Sequence, residues 1–202
     1  MAGCARISDL ADARHHYLIA LGSNRRHRSH GAPAQVIGAA IRMLDADVGK
    51  ILAASPIIAS APVGPSIRQY ANAAGILEAG FAPLRLLGRL KSIERTFGPR
   101  RGQRWSARVL DLDIILWSGG FWATSALTIP HPLYRERDFV TGPAAAIAPD
   151  WRDPVTGLTN LQLNTRLTRP RPLPSGAPGR STFPRHRDIS GALSSVGRAT
   201  DF

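Results

Sequence analysis

Residues 17–21 form a short apolar run closed by Gly22-Ser23-Asn24, the pattern of a strand entering a turn. Val36, Ile37, Ala40, Ile41, Met43, Leu44 and Val48 then recur at helical spacing and stop at Gly49, which predicts a helix ended by glycine. Residues 51–60 are apolar and partly β-branched. The Pro62-Val63-Gly64-Pro65 punctuation breaks the chain, and residues 70–78 resume an extended apolar segment, so two strands flank a loop. Pro83 opens a second helical stretch whose Leu84, Leu87, Leu90 and Ile93 are expected on one face, and which finishes by Gly98. Residues 109–117, rich in Ile and Leu, read as another strand. Beyond Ala123 the pattern predicts mixed helical and irregular structure, with a turn at His131-Pro132 and a short helix over 143–148.

The order β-α-β-β-α-β is that of the ferredoxin-like split unit, an α+β fold in which an antiparallel sheet carries both helices on one face, here with C-terminal additions. Within the 202 residues, 15–164 are assigned to this domain. Residues 1–14 are expected to be a flexible extension. From Thr165 onward Pro, Gly, Ser and Arg mix with no sustained period, and 165–202 are expected to be a disordered tail, because such a segment buries too little surface to offset its ordering entropy.

One cysteine in 202 residues excludes a disulfide-built scaffold. No run approaches the roughly 20 apolar residues of a membrane span, and Asp9, Asp12 and Arg14 occupy a stretch that a signal peptide would keep apolar. A cytoplasmic location is expected. The net charge of +12 comes from 24 Arg and 2 Lys against 14 acids, and seven of the Arg lie after Thr165 with only two acids. Such a balance invites polyanionic partners, nucleic acid or phosphorylated small molecules.

The sharpest local signal is Asp111-Leu112-Asp113. Residues i and i+2 of a strand share one face about 6.6 Å apart, so the two carboxylates look the same way. Holding two like charges together in an apolar strand is unfavourable unless a cation neutralises them, and Mg2+ with a phosphate-bearing substrate is the obvious candidate. The alternative is a solvated acidic pair on an edge strand. Just before the pair, residues 98–108 form a Gly-containing, strongly basic connection with the character of a phosphate-handling loop, against the alternative of a merely solvated basic loop. Neither a P-loop nor a dinucleotide-binding glycine motif occurs. Tyr70 and Phe139 offer aromatic faces and Asn72 a donor and acceptor in one amide, the elements of a flat heterocycle site, although each is also an ordinary strand or core residue.

Taken in order, YLIALGSN, PVGP followed by QYANA, IERTFG, RWSARVLDLDIIL, IPHPLYRERDFV and IAPDW resemble the 6-hydroxymethyl-7,8-dihydropterin pyrophosphokinase family over residues 17–157. The resemblance implies transfer of a pyrophosphoryl group from ATP to the dihydropterin, with ATP as co-substrate, giving the pterin diphosphate and AMP. By position, Asp111 and Asp113 match the ligands of two Mg2+ ions, with Asp113 shared between them. Tyr70 and Phe139 match the aromatic pair around the pterin and Asn72 the amide reading its edge; Ser60, Val63 and Gly64 lie where backbone groups do likewise, and Gly22 helps form the pocket wall. Arg101, Arg104, Trp105 and Arg108 fall in the mobile catalytic loop and its exit, with Arg101, Trp105 and Arg108 counted as catalytic. Glu94, His131 and Arg137 fall at nucleotide-contacting positions. Family members commonly follow the glycine matching Gly98 with an ATP-contacting Arg, whereas this chain has Pro99 and then Arg100, which is the candidate substitute. The resemblance further implies that a monomer suffices, with no nucleic acid or membrane as partner. Two rivals are a basic nucleic-acid-binding module, which the lack of interleaved basic and aromatic strand residues disfavours, and a catalytically weakened relative, motivated by Pro99.

Overall fold

A computed structural model of the chain describes residues 14–60, 70–98 and 109–170. Its main sheet is built from β1 (His15–Ser23), β2 (Lys50–Ala54), β3 (Ile58–Ser60), β4 (Tyr70–Ala79) and β5 (Asp111–Trp117), in the spatial order β2-β4-β1-β5, with β3 also on β4 and every pairing antiparallel. Helices α1 (Pro33–Asp47) and α2 (Pro83–Thr96) lie between β1 and β2 and between β4 and β5, which is the split unit expected from the element order. A short β6–β7 hairpin (Trp122–Ala123 with Thr128–Ile129), a 3-10 turn (Tyr134–Glu136), α3 (Asp138–Ile147) and α4 (Asn160–Thr168) follow.

Strand alternation sorts the core into two layers. Tyr17, Ile19 and Leu21 of β1, Ala71, Ala73 and Leu77 of β4, and Leu112 and Ile114 of β5 pack on α1 and α2. Leu18 of β1, Ala74 of β4, and Ile115 and Leu116 of β5 pack with Tyr134, with Val140 and Ala144 of α3 and with Leu163 of α4. Helices α1 and α2 therefore share one face of the sheet, as expected of the split unit, and the C-terminal helices cover the opposite face. A bulge sets the phase: Leu18 pairs with Leu116 but Ile19 with Ile114, so Ile115 is an extra residue on β5. Ile115 and Leu116 then both face α3, while the segment 111–114 keeps strict alternation.

Four expectations are corrected. The strand read over 51–60 is two strands, because Pro56 has no N–H to give the ladder; at the break Ser55 N donates to Ala74 O and Ser55 Oγ accepts from Ala74 N, both at 2.9 Å. The buried stripe of α2 is Pro83, Leu86, Leu90 and Ile93, continued by Phe97, a 3-4-3-4 spacing that leaves Leu84 42% exposed. Helix α3 begins at Asp138, not near Pro143, which lies inside it. Helix α4 runs to Thr168, past the boundary drawn after residue 164. It opens on a capping box in which Thr159 Oγ1 accepts from Gln162 N and the Gln162 side chain accepts from Thr159 N. Residues 1–13 and 171–202 lie outside the described residues. No helix among the described residues is long and apolar enough to cross a membrane.

Candidate active site

The register places a row of contrasting side chains across the α3 side of the sheet. Gly22 pairs with Asn72 of β4 on one flank and with Asp111 of β5 on the other. The next row is Ala74, Ala20 and Asp113. At the usual inter-strand spacing, Asn72 and Asp111 stand about 10 Å apart across a residue with no side chain. A Cβ on Gly22 would come 3.5 Å from Asn72 Oδ1 and 4.0 Å from Asp111 Cβ, so the gap between carboxamide and carboxylate is kept open by the missing methyl group. Asn72 is nearly buried and donates from Nδ2 to Ser60 Oγ at 2.7 Å, which fixes the plane of its amide. Tyr70, two residues earlier on β4, shares this face. Phe139 lies in the first turn of α3, which packs over β4.

Asp111 and Asp113 are half-buried and lie on β5, an edge strand. Leu112, between them, turns its backbone away from β1 toward α2. Its N–H donates to Glu94 Oε1 at 2.8 Å, and Lys91 Nζ donates both to that same oxygen, at 2.5 Å, and to Leu112 O at 3.4 Å. A Lys-Glu pair one helical turn apart thus stands in for a neighbouring strand and pins the stretch that carries both carboxylates. Burial pushes the Glu94 carboxyl up, and the nearby Asp111 adds to this, while Lys91 and the Leu112 N–H pull it down. Glu94, expected as a nucleotide contact, is committed through Oε1 to this brace. Sequence reasoning missed Lys91, although its i,i+3 spacing to Glu94 is visible in the chain.

On the far side of the carboxylates His131 is tied to β5 by its N–H, which donates to Ile115 O at 3.0 Å. Its Nδ1 accepts from Leu133 N at 3.2 Å, so the neutral ring carries its proton on Nε2 and presents a donor there. Burial pulls its pKa down; Asp113 opposes this, Arg137 adds to it and Asp111 opposes it, so these three groups lie within electrostatic reach of the ring. Arg137 is the residue preceding α3, with its guanidinium 5.9 Å from the centre of the Phe139 ring. The 3-10 turn that separates His131 from Arg137 is held by a partly buried ion pair: Arg135 Nε and Nη2 donate to Asp153 Oδ2 and Oδ1 at 2.6 and 2.8 Å. Asp153 also accepts from Thr156 Oγ1 at 2.6 Å and Val155 N at 3.0 Å.

The fold therefore gathers Gly22, Ser60, Tyr70, Asn72, Glu94, Asp111, Asp113, His131, Arg137 and Phe139 on or beside one end of the sheet. Val63, Gly64, Pro99, Arg100, Arg101, Arg104, Trp105 and Arg108 lie outside the described residues. Among the described residues no group of three or more His, Cys, Asp or Glu forms a cation cage. Two oxygen ligands on one strand face nonetheless fit Mg2+, which keeps waters and completes its shell from substrate phosphates.

A model of the 7,8-dihydro-6-hydroxymethylpterin-pyrophosphokinase family matches residues 18–149. The 2-amino-4-hydroxy-6-hydroxymethyldihydropteridine pyrophosphokinases of Pseudomonas aeruginosa and Haemophilus influenzae are 36% and 35% identical over 67% and 75% of this chain, covering 82% and 89% of their own length. The protein of that name from Synechocystis sp. is 43% identical over half of this chain, and the match spans about half (51%) of that relative. Among solved structures, Plasmodium falciparum HPPK-DHPS superposes with a TM-score of 0.61 at 13% identity, over 79% of this chain and 45% of the other, a likeness of fold. With its element order and these matches in agreement, the chain belongs to the 7,8-dihydro-6-hydroxymethylpterin-pyrophosphokinase family of diphosphotransferase enzymes.

Proposed function

We propose that the protein transfers the pyrophosphoryl group of ATP to the hydroxymethyl oxygen of 6-hydroxymethyl-7,8-dihydropterin, a step of folate biosynthesis. The observation that carries this reading is the row Asn72-Gly22-Asp111, in which an amide fit to read a heterocycle edge and a carboxylate fit to hold a cation flank a position without a side chain. Asn72, steadied by Ser60, reads the pterin edge, Tyr70 and Phe139 cover its faces, and Val63 and Gly64 add backbone contacts. The hydroxymethyl group then points along the row toward β5.

Asp111 and Asp113 would hold two Mg2+, which when bound neutralise charge on the polyphosphate and align it. In the reaction the hydroxyl oxygen forms a bond to the β-phosphorus as the bond to the α,β-bridging oxygen breaks. AMP leaves with that oxygen, and the hydroxyl proton passes to water. His131, through its Nε2 donor, and Arg137 bind phosphate oxygens. Arg100, Arg101, Arg104, Trp105 and Arg108 close over the nucleotide and exclude water, and Glu94 lies at its margin. Transfer of this kind depends on position and charge more than on a proton acceptor, so no general base is assigned. The enzyme is read as a monomer of the reducing cytoplasm, in keeping with its single cysteine.

The test is AMP formation from ATP by the purified chain. AMP produced only when both Mg2+ and the dihydropterin are present supports the reading. ATP consumption indifferent to the pterin, or none under any condition, contradicts it.

A further inference from the structure

The connection from β1 to α1 carries three cations that the proposed reaction does not use. Arg25, Arg26 and Arg28 are exposed, no Asp or Glu occurs in the sequence between His15 and Leu44, and no carboxylate among the described residues forms an ion pair with them. Guanidiniums on a loop are usually spread by mutual repulsion. Here the loop is stiff. His27 N donates to Gly31 O at 2.8 Å and Gly31 N to His27 O at 3.0 Å, while His27 Nδ1 accepts from both Ser29 N and His30 N at 3.1 and 3.2 Å. The His27 and His30 rings stack with centres 4.6 Å apart, and both lie against Phe97, at 5.9 and 4.8 Å. Gly31 closes the turn at φ +84°, where a Cβ would strike Gln35 Oε1, the oxygen that receives Ala32 N.

Two features of placement give this patch a ligand. Arg25 is three residues from Gly22, so their Cα atoms are at most about 10 Å apart, at the same end of the sheet as the Asn72-Gly22-Asp111 row. Phe97, on which the turn rests, directly precedes Gly98, where the Arg-rich run 99–108 begins. The basic turn therefore packs on the residue just before Gly98 and holds its cations at that corner. Resting on the proposed activity, we infer that Arg25, Arg26 and Arg28 form a capture site for the polyphosphate of the nucleoside triphosphate, drawing it to the mouth of the site. Guanidinium forks match phosphate oxygens, and cations fixed on a stiff turn attract a polyanion at distances that only salt shortens.

The experiment is stopped-flow association of N-methylanthraniloyl-ATP with the full chain in Mg2+, from low to moderate KCl. The variant Arg25→Gln/Arg26→Gln/Arg28→Gln is expected to associate about tenfold more slowly at low salt, with a flatter dependence on ionic strength, and to lose more in KM for ATP than in kcat. A control, Arg42→Gln/Arg166→Gln/Arg169→Gln, removes the same charge from exposed sites elsewhere and is expected to keep the wild-type rate. Wild-type association and salt slope in the first variant, or an equal loss in the control, would overturn the capture site alone. A wild-type chain that binds no nucleotide would overturn the proposed activity and the capture site together.

Discussion

Replacing Asp153 by Asn tests how the His131–Arg137 segment is held. Asp153 is fully buried, and burial opposes its charge, yet the Arg135 guanidinium, the Thr156 hydroxyl and the Val155 N–H hold its carboxyl down at about 2, against an ordinary 3.8. A shift of nearly two units corresponds to about 2.5 kcal/mol favouring the folded state at neutral pH. Because the folded value is the lower one, this stability is fully present above about pH 4 and is lost as the pH falls toward 2. Asn keeps the volume but removes the charge and one acceptor, leaving Arg135, 24% exposed, with partial access to water. The expected loss is therefore about 3 kcal/mol at pH 7, near the lower end for breaking a buried pair. That is a fall in Tm of roughly 6 to 12 °C for a domain of this size. Urea and thermal unfolding of both proteins between pH 7 and pH 3 measure it, and the gap between them should narrow below pH 4. A loss under about 1 kcal/mol at pH 7, or a gap that stays constant down to pH 3, would refute the reasoning.

Gly22→Ala should fold as stably as the wild type, within about 1 kcal/mol, since its new methyl meets Asn72 Oδ1 at an ordinary 3.5 Å. The same methyl fills the gap meant for the pterin, so KM for the pterin should rise at least tenfold with KM for ATP little changed. Glu94→Leu removes the acceptor of the Leu112 N–H and should raise the Mg2+ concentration for half-maximal activity about tenfold. Glu94→Gln, which keeps the acceptor, should stay within about threefold of wild type, and equal damage in both variants would show that Glu94 acts through its charge and not through the strand. His131→Ala should lower kcat more than it weakens pterin binding, as read by pterin fluorescence and steady-state rates.

Much of the fold is legible because the chain is locally consistent. Gly22-Ser23-Asn24, Gly49, Pro83 and Gly98 punctuate segments whose apolar periods already differ, and alternation alone puts Asp111 and Asp113 on one face. Three kinds of information are not local. The bulge at Ile115 depends on register against a partner strand. The face of α2 was misassigned at Leu84 because four leucines in a short helix permit two stripes, and only packing on the sheet selects Leu86. Pro143 hid the start of α3, since a proline is common in a first helical turn and the Gly142-Pro143 pair reads as a break followed by a beginning. The Thr159–Gln162 capping box was a usable signal for α4 that the basic composition beyond Thr165 obscured.

The site divides the same way. Its chemistry-bearing side chains stand in the sequence, but what holds them does not announce itself. The Lys91–Glu94 brace reaches Leu112, 21 residues beyond Lys91, the Arg135–Asp153 pair spans 18 residues, and charge alone marks all four as ordinary surface residues. The His27–His30 stack on Phe97 is likewise set by the meeting of two loops. Each of these steadies a segment that carries a proposed ligand or substrate contact.

The most direct measurement is a count of bound divalent ions by Mn2+ electron paramagnetic resonance, with a nonhydrolysable ATP analogue and pterin present. The account predicts two Mn2+ per chain in the wild type and none held tightly in Asp111→Asn/Asp113→Asn, whose unfolding curve should still be cooperative. A wild type that binds nucleotide and pterin without bound Mn2+, or a double variant that keeps both ions, would contradict it.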